Sequence, residues 1–573
     1  MKKILPYLKH QKFRLFIQII VKIIGTLMDL AIPYVLTYII DEVVPVTTKE
    51  NYTQILWYGL LMVIFSIIGV SFNIIANQSA SYIARVVTRG LRHDLFSKVQ
   101  SLSNTQIDEL TMPSIISRLS SDTYNVHQMV GMMQRIGVRA PILLIGGIIV
   151  TLTLDPFLTL ILLITLPLIV LATVIVSKLG IPLFNKVQTS IDNMIRVIRE
   201  NISGVRVIKA LSKMDYEKNR FSKVNKEVMN YELKSGYTMT SLNPIINVLL
   251  NLGLVAVIVV GAIRIKGDTT EVGKVIAFTS YFTIILNAML SITRIFMIFS
   301  RSLASLTRIS YILDMKEDLQ VEDIEIKDSE YLIEFNNVNF SYNKKELNLE
   351  NINFKIKENE TLGIIGATGS GKTTIINLLM RFYDVDSGEI LINGKNIKSI
   401  PPQELKSLFG AAFQNDTIFS DTIRENIVFG RNINEEDIQK AIKVSQAEEF
   451  IKNQPNGFDT ILTPKGTNIS GGQKQRLYIA RALANNPKIL VLDDSSSALD
   501  YKTDSILRQE IKENYNCTTV IIAQRISSIK HCNNIIVLDE GKMVGYGTHE
   551  HLMETSTIYN EIYQSQMGGG INE

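Results

Sequence analysis

The chain has 573 residues, and its 59 lysines and arginines nearly balance its 55 aspartates and glutamates. The charges are segregated, because residues 1–314 hold 32 basic and 18 acidic side chains (net +14), whereas residues 315–573 hold 27 and 37 (net −10). This distribution excludes a nucleic-acid-binding protein with a uniformly basic surface.

The first half of the chain contains uncharged runs that are too long for the core helices of a soluble protein. Three such runs cover residues 51–84, 235–263 and 275–293. Residues 140–177 hold one charge, Asp155, which precedes Pro156 and divides this run into a hairpin of two membrane spans. Residues 15–40 form one further apolar run, which is interrupted by Lys22 and Asp29. Because a span needs about 20 apolar residues, the sequence predicts six membrane-spanning helices within residues 1–314.

Basic residues in the connections between these helices indicate their orientation. The connection over residues 81–134 carries five lysines and arginines and that over 178–234 carries twelve, whereas 41–54 and 155–156 carry one and none. The excess of basic residues marks both long connections as cytoplasmic. The sequence therefore predicts a multi-pass protein of the cell membrane whose second half is cytoplasmic.

Helical periodicity continues through both long connections, so each is predicted to be a helical hairpin that extends from the membrane into the cytosol. The predicted tips lie at residues 111–117 and 210–216, and the alternative is that these segments are only loops. The basic N-terminus, residues 1–14, lacks the apolar core of a removable signal and is predicted to lie at the membrane interface.

From Tyr331 onward, short β-rich runs alternate with helical segments, which predicts an α/β domain over residues 331–573. The acidic residues 315–330 are the predicted linker. Two cysteines, Cys517 and Cys532, lie in this cytoplasmic half, where thiols stay reduced, and are predicted to be core residues.

A glycine-rich loop, GATGSGKTT, follows the predicted strand at residues 362–365 and precedes a helical run. This context fits the P-loop (Walker A) pattern, in which glycines let backbone N–H groups close around phosphates. Lys372 is predicted to reach the β- and γ-phosphates of ATP, and the Thr373 hydroxyl to ligate Mg²⁺. The predicted nucleotide-binding residues of the loop are Gly366, Thr368, Gly369, Ser370, Gly371, Lys372, Thr373 and Thr374.

A second motif lies 120 residues further on, where the apolar run at residues 489–492 ends in Asp493 and Asp494. Asp493 is predicted to hold Mg²⁺ through water, as a Walker B aspartate does, and Asp494 to face the attacking water. The alternative is that Asp494 only caps the following turn. The predicted fold class is therefore a membrane α-helical bundle, with six helices extending into the cytosol, followed by a cytosolic α/β P-loop ATPase domain.

Between the two motifs lie Ser470, Gly471, Gly472 and Gln473, followed by a helical run. Here the chain resembles the ATP-binding cassette (ABC) family, whose signature motif has this Ser-Gly-Gly-Gln core. In that family the signature presents a hydroxyl, glycine N–H groups and a helix N-terminus to the γ-phosphate.

Further elements of the ABC pattern follow in the expected order over nearly all of residues 331–555. Tyr342 resembles the aromatic residue that stacks on adenine, and Gln414 the glutamine that meets Mg²⁺ and water. Asp500 ends a segment that resembles the D-loop. With its six predicted spans, the whole chain resembles a half-transporter of the exporter class, of the multidrug and lipid-flippase kind.

Two positions depart from the family pattern. Most members have Glu where this chain has Asp494, and His where it has Gln524. The Asp carboxylate is drawn back by about 1.5 Å, and a misplacement of about 1 Å can cost on the order of 10²-fold in rate. Gln524 cannot carry a positive charge or shuttle a proton as His does. We therefore expect the chain to bind ATP well and to hydrolyse it poorly. The predicted catalytic residues are Asp494, Gln524 and Gln414.

The resemblance implies a dimer in which each ATP lies between the P-loop of one chain and the signature of the other. With a weak site and an intact signature, the chain is predicted to pair with a different half-transporter that has the competent site. The alternatives are a homodimer with slow turnover and an ATP-gated sensor that does not pump. The expected cargo is an amphipathic small molecule, lipid or peptide, with membrane lipid as a further partner and no nucleic acid.

Polar residues within the predicted spans are expensive and suggest a water-filled path. The side chains share helix faces in groups: Asn243, Asn247 and Asn251; Asn287, Ser291 and Arg294; Arg135 and Arg139; Lys22 and Asp29. The alternative is that the amides join helices and that the arginines snorkel to the interface.

Overall fold

The computed structural model describes residues 3–45, 52–414, 416–495 and 497–567. The chain forms two compact units, one of Met1–Gln100 with Pro113–Met315 and the other of Ser101–Met112 with Lys316–Glu573. The segment Ser101–Met112 comes from the first long connection, yet it belongs to the C-terminal unit.

Six helices of the described residues are long and apolar enough to cross a membrane, which confirms the predicted number. They span Lys12–Val43, Thr53–Ser101, Met112–Leu154, Pro156–Ser203, Met214–Lys266 and Val272–Asp314. The individual α-helices of this part of the chain are α1 (Leu5–Lys9), α2 (Lys12–Tyr38), α3 (Thr53–Ser101), α4 (Asn104–Leu110), α5 (Met112–Ser117), α6 (Thr123–Leu154), α7 (Pro156–Ser203), α8 (Val205–Ala210), α9 (Met214–Thr240), α10 (Leu242–Lys266) and α11 (Val272–Asp314).

The predicted hairpin at Asp155 is confirmed. α6 ends at Leu154, and the Asp155 carboxylate accepts hydrogen bonds from the backbone N–H groups of Phe157 and Leu158 at the start of α7. Pro156 occupies the first turn of α7, where its missing N–H is not needed. The buried Asp155 also pairs with Arg264 of α10 at 3.2 Å, so a carboxylate at this turn joins three helices.

Each long cytoplasmic connection turns back towards the membrane at a tip. The second tip is a turn between α8 and α9 in which Ser212 has a φ of +52°, within the predicted segment. The first prediction was wrong. The segment that joins the C-terminal unit is centred on α4, whereas residues 111–117 hold the turn at Thr111 and α5, which leads back towards α6.

The membrane unit is held together mainly by α6 against α11, α7 against α9 and α10, and α2 against α6. Its largest fully buried side chains are aromatic residues of α11, and the hydroxyl of one of them, Tyr281, donates to the Leu30 carbonyl oxygen of α2 at 2.5 Å. Because lipid is as apolar as these rings, they stabilise the bundle by van der Waals packing and by this hydrogen bond.

The C-terminal unit contains one ten-stranded sheet. Its strands are β1 (Ile333–Phe340), β2 (Leu349–Ile356), β3 (Thr361–Gly366), β4 (Ser387–Ile392), β5 (Lys395–Asn396), β6 (Phe409–Ala412), β7 (Ile489–Asp493), β8 (Thr518–Ile522), β9 (Asn534–Asp539) and β10 (Lys542–Gly547). The strand order is β5-β4-β1-β2-β10-β9-β3-β8-β7-β6. The run β9-β3-β8-β7-β6 is parallel, and β1, β2, β4 and β5 pair in antiparallel fashion.

Helices complete this unit and cover the parallel strands. They are α12 (Lys372–Leu379), α13 (Pro402–Ser407), α14 (Ile423–Val428), α15 (Glu435–Val444), α16 (Glu448–Lys452), α17 (Gly471–Leu483), α18 (Tyr501–Asn514), α19 (His549–Thr555) and α20 (Thr557–Met567). Strands β7 and β8 are almost entirely buried and apolar, as expected for parallel strands with both faces covered. The predicted fold class is confirmed.

Candidate functional site

The predicted site residues gather because four neighbouring parallel strands end at the same edge of the sheet. The glycine-rich loop follows β3, and Gln524 comes two residues after β8. Asp493 is the last residue of β7, and Gln414 comes two residues after β6. Residues that are far apart in sequence therefore meet at the carboxyl ends of these strands, where α/β folds bind ligands.

The loop between β3 and α12 adopts a conformation that requires glycine. Gly369 and Gly371 have φ values of +86° and +100°, in the left-handed region that favours glycine. The Lys372 ammonium donates to the carbonyl oxygens of Gly366 at 2.9 Å and Ala367 at 2.7 Å, so its side chain lies across the loop. An exposed glycine loop, a lysine and a helix N-terminus together fit a phosphate group.

Charged groups around the loop influence one another. Burial lowers the pKa of Lys372, against the attraction of Asp493 and Asp494. Burial raises the pKa of Asp493, and the neighbouring Asp494 charge adds to this, whereas the hydrogen bond from Thr373 opposes it. The Thr373 hydroxyl lies 3.2 Å from the Asp493 carboxylate. This pair of oxygen groups fits a hard cation such as Mg²⁺, which takes its other ligands from phosphate and water.

Asp494 has its carboxylate held by two amides. The same oxygen, Oδ2, accepts from Nε2 of Gln524 at 2.9 Å and from Nε2 of Gln414 at 3.1 Å. The Asp494 backbone has a φ of +48°, which is unusual for a residue with a side chain and is typical of strained functional positions. Burial raises the pKa of this carboxyl despite the opposing charge of Lys372.

Among the described residues, the carboxylate of Asp494 accepts hydrogen bonds from Gln414 and Gln524. Its main-chain oxygen accepts from the backbone N–H and the hydroxyl of Ser497. These contacts favour a carboxylate that faces the site over one that only caps the following turn.

Tyr342 lies at the edge of the same site. Its ring is 43% exposed, and its hydroxyl donates to Thr374 at 3.3 Å and accepts from Asn377 at 3.2 Å, both in α12. The ring also meets Tyr383 edge-on, with 5.0 Å between the ring centroids. An aromatic face is thus available beside the glycine-rich loop.

The signature residues lie at the exposed start of α17. Ser470 caps this helix in a reciprocal arrangement, because its hydroxyl accepts from the Gln473 backbone while the Gln473 side chain accepts from the Ser470 backbone. Gly471 and Gly472 form the first turn. No hydrogen bond joins these four residues to the glycine-rich loop within the described part of the chain, so their open face is available to another molecule.

The segment that follows β7 is tied to this helix by a residue that sequence reasoning missed. Gln475 donates to the Ser497 hydroxyl at 3.0 Å and accepts from the Ala498 backbone at 2.8 Å. Asp500 caps α18 by accepting from the Thr503 backbone at 3.0 Å. Gln475 lies one turn inside α17, a position that no motif spacing singled out.

Comparisons with known proteins agree with this geometry. Residues 15–289 match the family model of the ABC transporter transmembrane region, and residues 349–497 match that of the ABC transporter. The uncharacterized ABC transporter ATP-binding protein YfiB of Bacillus subtilis is 34% identical over 570 residues, which cover 99% of both chains. The chain belongs to the ABC transporter family. It is a half-transporter of the exporter type, with membrane and ATP-binding parts in one polypeptide.

Two further relatives of this ABC transporter are informative. A putative multidrug export ATP-binding/permease protein of Staphylococcus aureus is 34% identical over 582 residues, covering 99% of both chains. A solved structure of a bacterial Atm1-family ABC exporter with ATP bound superposes with a TM-score of 0.83 over 97% of this chain and 98% of that one. At 23% identity this likeness shows a common fold.

Family membership establishes the general activity. The protein is a transport ATPase that binds ATP, spans the membrane several times and has its nucleotide-binding domain in the cytoplasm. ABC exporters act as dimers, so this chain needs a second half-transporter to form the complete transporter.

The half-transporter places α4 against its own nucleotide-binding domain. The Tyr383 hydroxyl donates to Asp108 of α4 at 2.8 Å, and the Ser103 hydroxyl donates to Asp318 at 2.7 Å. Gln106 donates to the Lys316 carbonyl oxygen at 2.7 Å. The first tip therefore contacts the region around Tyr383. Sequence reasoning missed Tyr383 and Asp108, which no motif marks.

The predicted asparagine stripe of the transporter lies in α10. Asn243, Asn247 and Asn251 are all exposed in the single chain, and the Asn251 amide donates to the Asn247 backbone oxygen at 2.8 Å. Asn287 and Arg294 of α11 are exposed as well. An exposed amide stripe is unsuited to lipid, so these faces suit a cavity or a partner chain.

Proposed function

We propose that this protein is one subunit of a heterodimeric exporter that moves amphipathic molecules out of the cytoplasm. Residues 1–314 would form the membrane domain, residues 315–330 the linker and residues 331–573 the nucleotide-binding domain. In this proposal the chain contributes a weak ATP site through its own P-loop and an intact signature to the partner's competent site.

The proposed roles follow the contacts at the sheet edge. Tyr342 would stack on adenine, Lys372 would bind the β- and γ-phosphates, and the loop from Gly366 to Thr374 would surround them. Thr373, Asp493 and Gln414 would hold Mg²⁺, which neutralises phosphate charge when it is bound.

The observation that carries the weak-site proposal is the placement of the Asp494 carboxylate. One oxygen already accepts from Gln524 and Gln414, at 2.9 Å and 3.1 Å. The side chain is one methylene shorter than Glu, so the carboxylate starts about 1.5 Å behind the position from which Glu would hold water. Gln524 is a neutral amide, which donates a hydrogen bond but cannot transfer a proton as His can. The group is suited to binding ATP without rapid hydrolysis.

The intact signature supports the heterodimer. Ser470, Gly472 and Gln473 keep the residue types that meet a γ-phosphate in ABC dimers, and they lie exposed or half-buried at the start of α17. A chain whose own P-loop site hydrolyses slowly gains from such a signature only if it serves a faster site on another chain. A homodimer would pair the same weak residues twice.

The proposed cycle uses ATP-driven closure of the two nucleotide-binding domains to move the membrane helices. Closure would be transmitted through the tips of the cytoplasmic hairpins and would turn the cavity outwards, and hydrolysis at the partner's site would reset it. The amphipathic cargo is supported by the relative described as a multidrug export protein and by the polar faces of α10 and α11.

The proposal is tested by comparing the purified chain alone with the chain co-purified with a candidate partner half-transporter that has Glu and His at the positions of Asp494 and Gln524. Alone, it should bind ATP with Mg²⁺ but turn it over at least about tenfold more slowly than the pair. ATP-dependent uptake of an amphipathic dye into inside-out vesicles should need both chains. Rapid turnover by a verified homodimer would contradict the heterodimer, and closure without flux would favour a sensor.

A further inference from the structure

A cluster of charged and amide side chains lies among α2, α3 and α6 of the membrane unit, and the proposed function makes no use of it. The Lys22 ammonium donates to Oδ1 of Asn77 at 3.0 Å, and Arg139 pairs with Asp29 at 2.9 Å. Asn73 contacts the same Asp29 carboxylate oxygen at 3.5 Å. Three helices thus bring their polar residues to one place.

Two glycines allow these helices to approach closely enough. A Cβ at Gly25 of α2 would lie 3.2 Å from the Gly69 carbonyl oxygen of α3, and a Cβ at Gly69 would lie 3.2 Å from Oδ1 of Asp29. Larger residues would separate α2 from α3. The cluster is therefore formed by close packing rather than by chance proximity of long side chains.

The cluster lies in the cytoplasmic half of the bilayer. At about 1.5 Å per residue, Arg139 and Asp29 lie about 20 Å from the outer ends of their helices, and Lys22 and Arg135 lie about 30 Å from them. The hydrocarbon core is about 30 Å thick. These groups therefore face molecules that arrive from the inner leaflet or the cytosol.

Positive charge exceeds negative charge in this cluster. The charged groups that act on the Lys22 ammonium are Arg139, Asp29 and Arg135, so one carboxylate faces three cations. Lys22 is only 2% exposed, and its hydrogen-bond partner is a neutral amide. Arg135 donates to the Gly131 backbone oxygen at 3.1 Å and forms no ion pair within the described residues. Helix association alone would not require two uncompensated cations at this depth.

Buried amide oxygens beside the cations also lack partners. Gln18 and Gln134 are 1% and 8% exposed, and Gln18 donates to the Gln134 backbone oxygen at 3.1 Å. Among the residues that the structure describes, no donor bonds to the side-chain oxygen of either one. Such oxygens suit water or a hydroxyl group, and the cations suit an anion. The side chain of Arg139 is 45% exposed, so the cluster can be reached from the surface of the single chain.

We propose that this cluster binds the anionic headgroup of an amphiphile that carries a phosphate or carboxylate on an apolar chain. Lys22 and Arg135 supply the uncompensated charge, Arg139 is shared between Asp29 and the ligand, and the apolar chain lies among the membrane helices. This inference rests on the proposed export function and specifies the class of its cargo.

The test measures binding to the full-length chain in detergent by fluorescence anisotropy, with two dye-labelled probes that have the same sixteen-carbon chain. One is a hexadecyl phosphate and the other a hexadecyl phosphocholine, which differ in net headgroup charge. The anionic probe should bind at least about tenfold more tightly, and inorganic phosphate at equal concentration should not displace it. Equal affinity for the two probes, or displacement by inorganic phosphate, would overturn the proposal.

Variants separate ligand binding from a structural role. Lys22→Gln and Arg135→Gln should each lower the affinity for the anionic probe about tenfold and leave the affinity for the zwitterionic probe unchanged. The control is Lys178→Gln, at an exposed basic residue of α7, which should change neither affinity. Asp29→Asn removes the carboxylate that acts on Lys22 and should strengthen binding of the anionic probe severalfold. If Asp29→Asn weakens it as Lys22→Gln does, the cluster only joins helices and the proposal fails.

ATP binding, measured in parallel, reports that each variant is folded. The assay needs neither the partner chain nor hydrolysis. Failure here would therefore leave the heterodimer proposal intact, and failure of the heterodimer would leave the probe affinities unchanged.

Discussion

The proposed weak site depends on the side chain of Asp494, which is one methylene group shorter than Glu. Its carboxylate oxygen is shared by Gln524 and Gln414, so two amide donors occupy the acceptor that would otherwise orient water. Burial raises the pKa of both Asp494 and the adjacent Asp493, since two carboxylates in a half-buried site are costly to ionise. A bound cation would relieve this cost, so metal binding is favoured at this pair of carboxylates.

Restoring the family residues should activate the site. The double variant Asp494→Glu with Gln524→His should raise the ATPase rate of the isolated chain at least about tenfold, because the carboxylate advances by about 1.5 Å and the imidazole can carry charge. In a homodimer, each restored site also receives an intact signature. The control is the same variant with Lys372→Ala, which should bind no ATP; an unchanged rate in the double variant would show that other positions limit hydrolysis.

The two cysteines should be unreactive in the folded protein. Burial raises the pKa of Cys532 from 9.0 to about 11, and burial also raises the pKa of Cys517. Iodoacetamide at pH 8 should label neither thiol until the nucleotide-binding domain is unfolded. Rapid labelling of the native chain would show that this core opens readily.

The Cys532 thiol also predicts a pH dependence of stability. Between pH 9 and about 11 the unfolded chain loses a proton that the folded chain retains, so the contribution of this thiol to stability is fully present below pH 9 and is lost as the pH rises through this window. The loss should be on the order of 2 kcal/mol and should be smaller in Cys532→Ala, measured by denaturant unfolding at a series of pH values.

Among the elements, α4 has the most specific contacts. Its seven residues, Asn104–Leu110, begin at a capping box formed by Ser103 and Gln106, and each of these two side chains also bonds to the start of the C-terminal unit. The hydroxyl of Tyr383 bonds to Asp108 of α4, and the ring of Tyr383 contacts the ring of Tyr342. The predicted adenine platform and the cytoplasmic tip are thus one side chain apart.

Removing the Tyr383 hydroxyl should loosen α4 without affecting the rest of the domain. Tyr383→Phe loses the bond to Asp108, worth about 1 kcal/mol, so hydrogen exchange in residues 101–112 should rise about fivefold. Tyr546→Phe, which loses a bond to the Lys355 carbonyl oxygen elsewhere in the domain, is the matched control. Unchanged exchange in Tyr383→Phe would mean that the other bonds of α4 suffice to hold it.

The second tip should contact the partner chain. The resemblance to ABC exporters predicts that the turn at Ser212, between α8 and α9, reaches the nucleotide-binding domain of the opposite subunit. A photo-crosslinker attached to Ser212→Cys, in a Cys517→Ala and Cys532→Ala background, should join the two subunits. Adducts confined to the chain's own domain would exclude this crossing.

The elements with strong local signals were predictable from the sequence. Uncharged runs predicted the six spans, Asp155 with Pro156 predicted a hairpin, and the glycine-rich loop was recognisable between its strand and helix. The position of α4 was not, because Thr111 and Pro113 suggested a turn while the contacts that place α4 come from residues more than 200 positions away. The sharing of one Asp494 oxygen by two glutamines also depends on side-chain geometry that spacing does not contain.

At the scale of the whole molecule, the chain combines the proposed weak catalytic group with the signature and P-loop residue patterns of the ABC family. These features belong to opposite faces of an ABC dimer, since a signature serves the ATP on the other chain. The proposed heterodimer is therefore functionally asymmetric: ATP is held at one site and hydrolysed at the other.

The most direct test compares two variants of this chain within the assembled heterodimer, at matched dimer yield, by steady-state ATPase assay. Gly472→Asp places a negative charge and a side chain against the γ-phosphate at the partner's site, and should remove nearly all activity. Asp494→Asn affects only this chain's own P-loop site and should lower total turnover modestly, by less than about twofold. If Asp494→Asn is as damaging as Gly472→Asp, then Asp494 is a working catalytic base and the weak-site account is wrong.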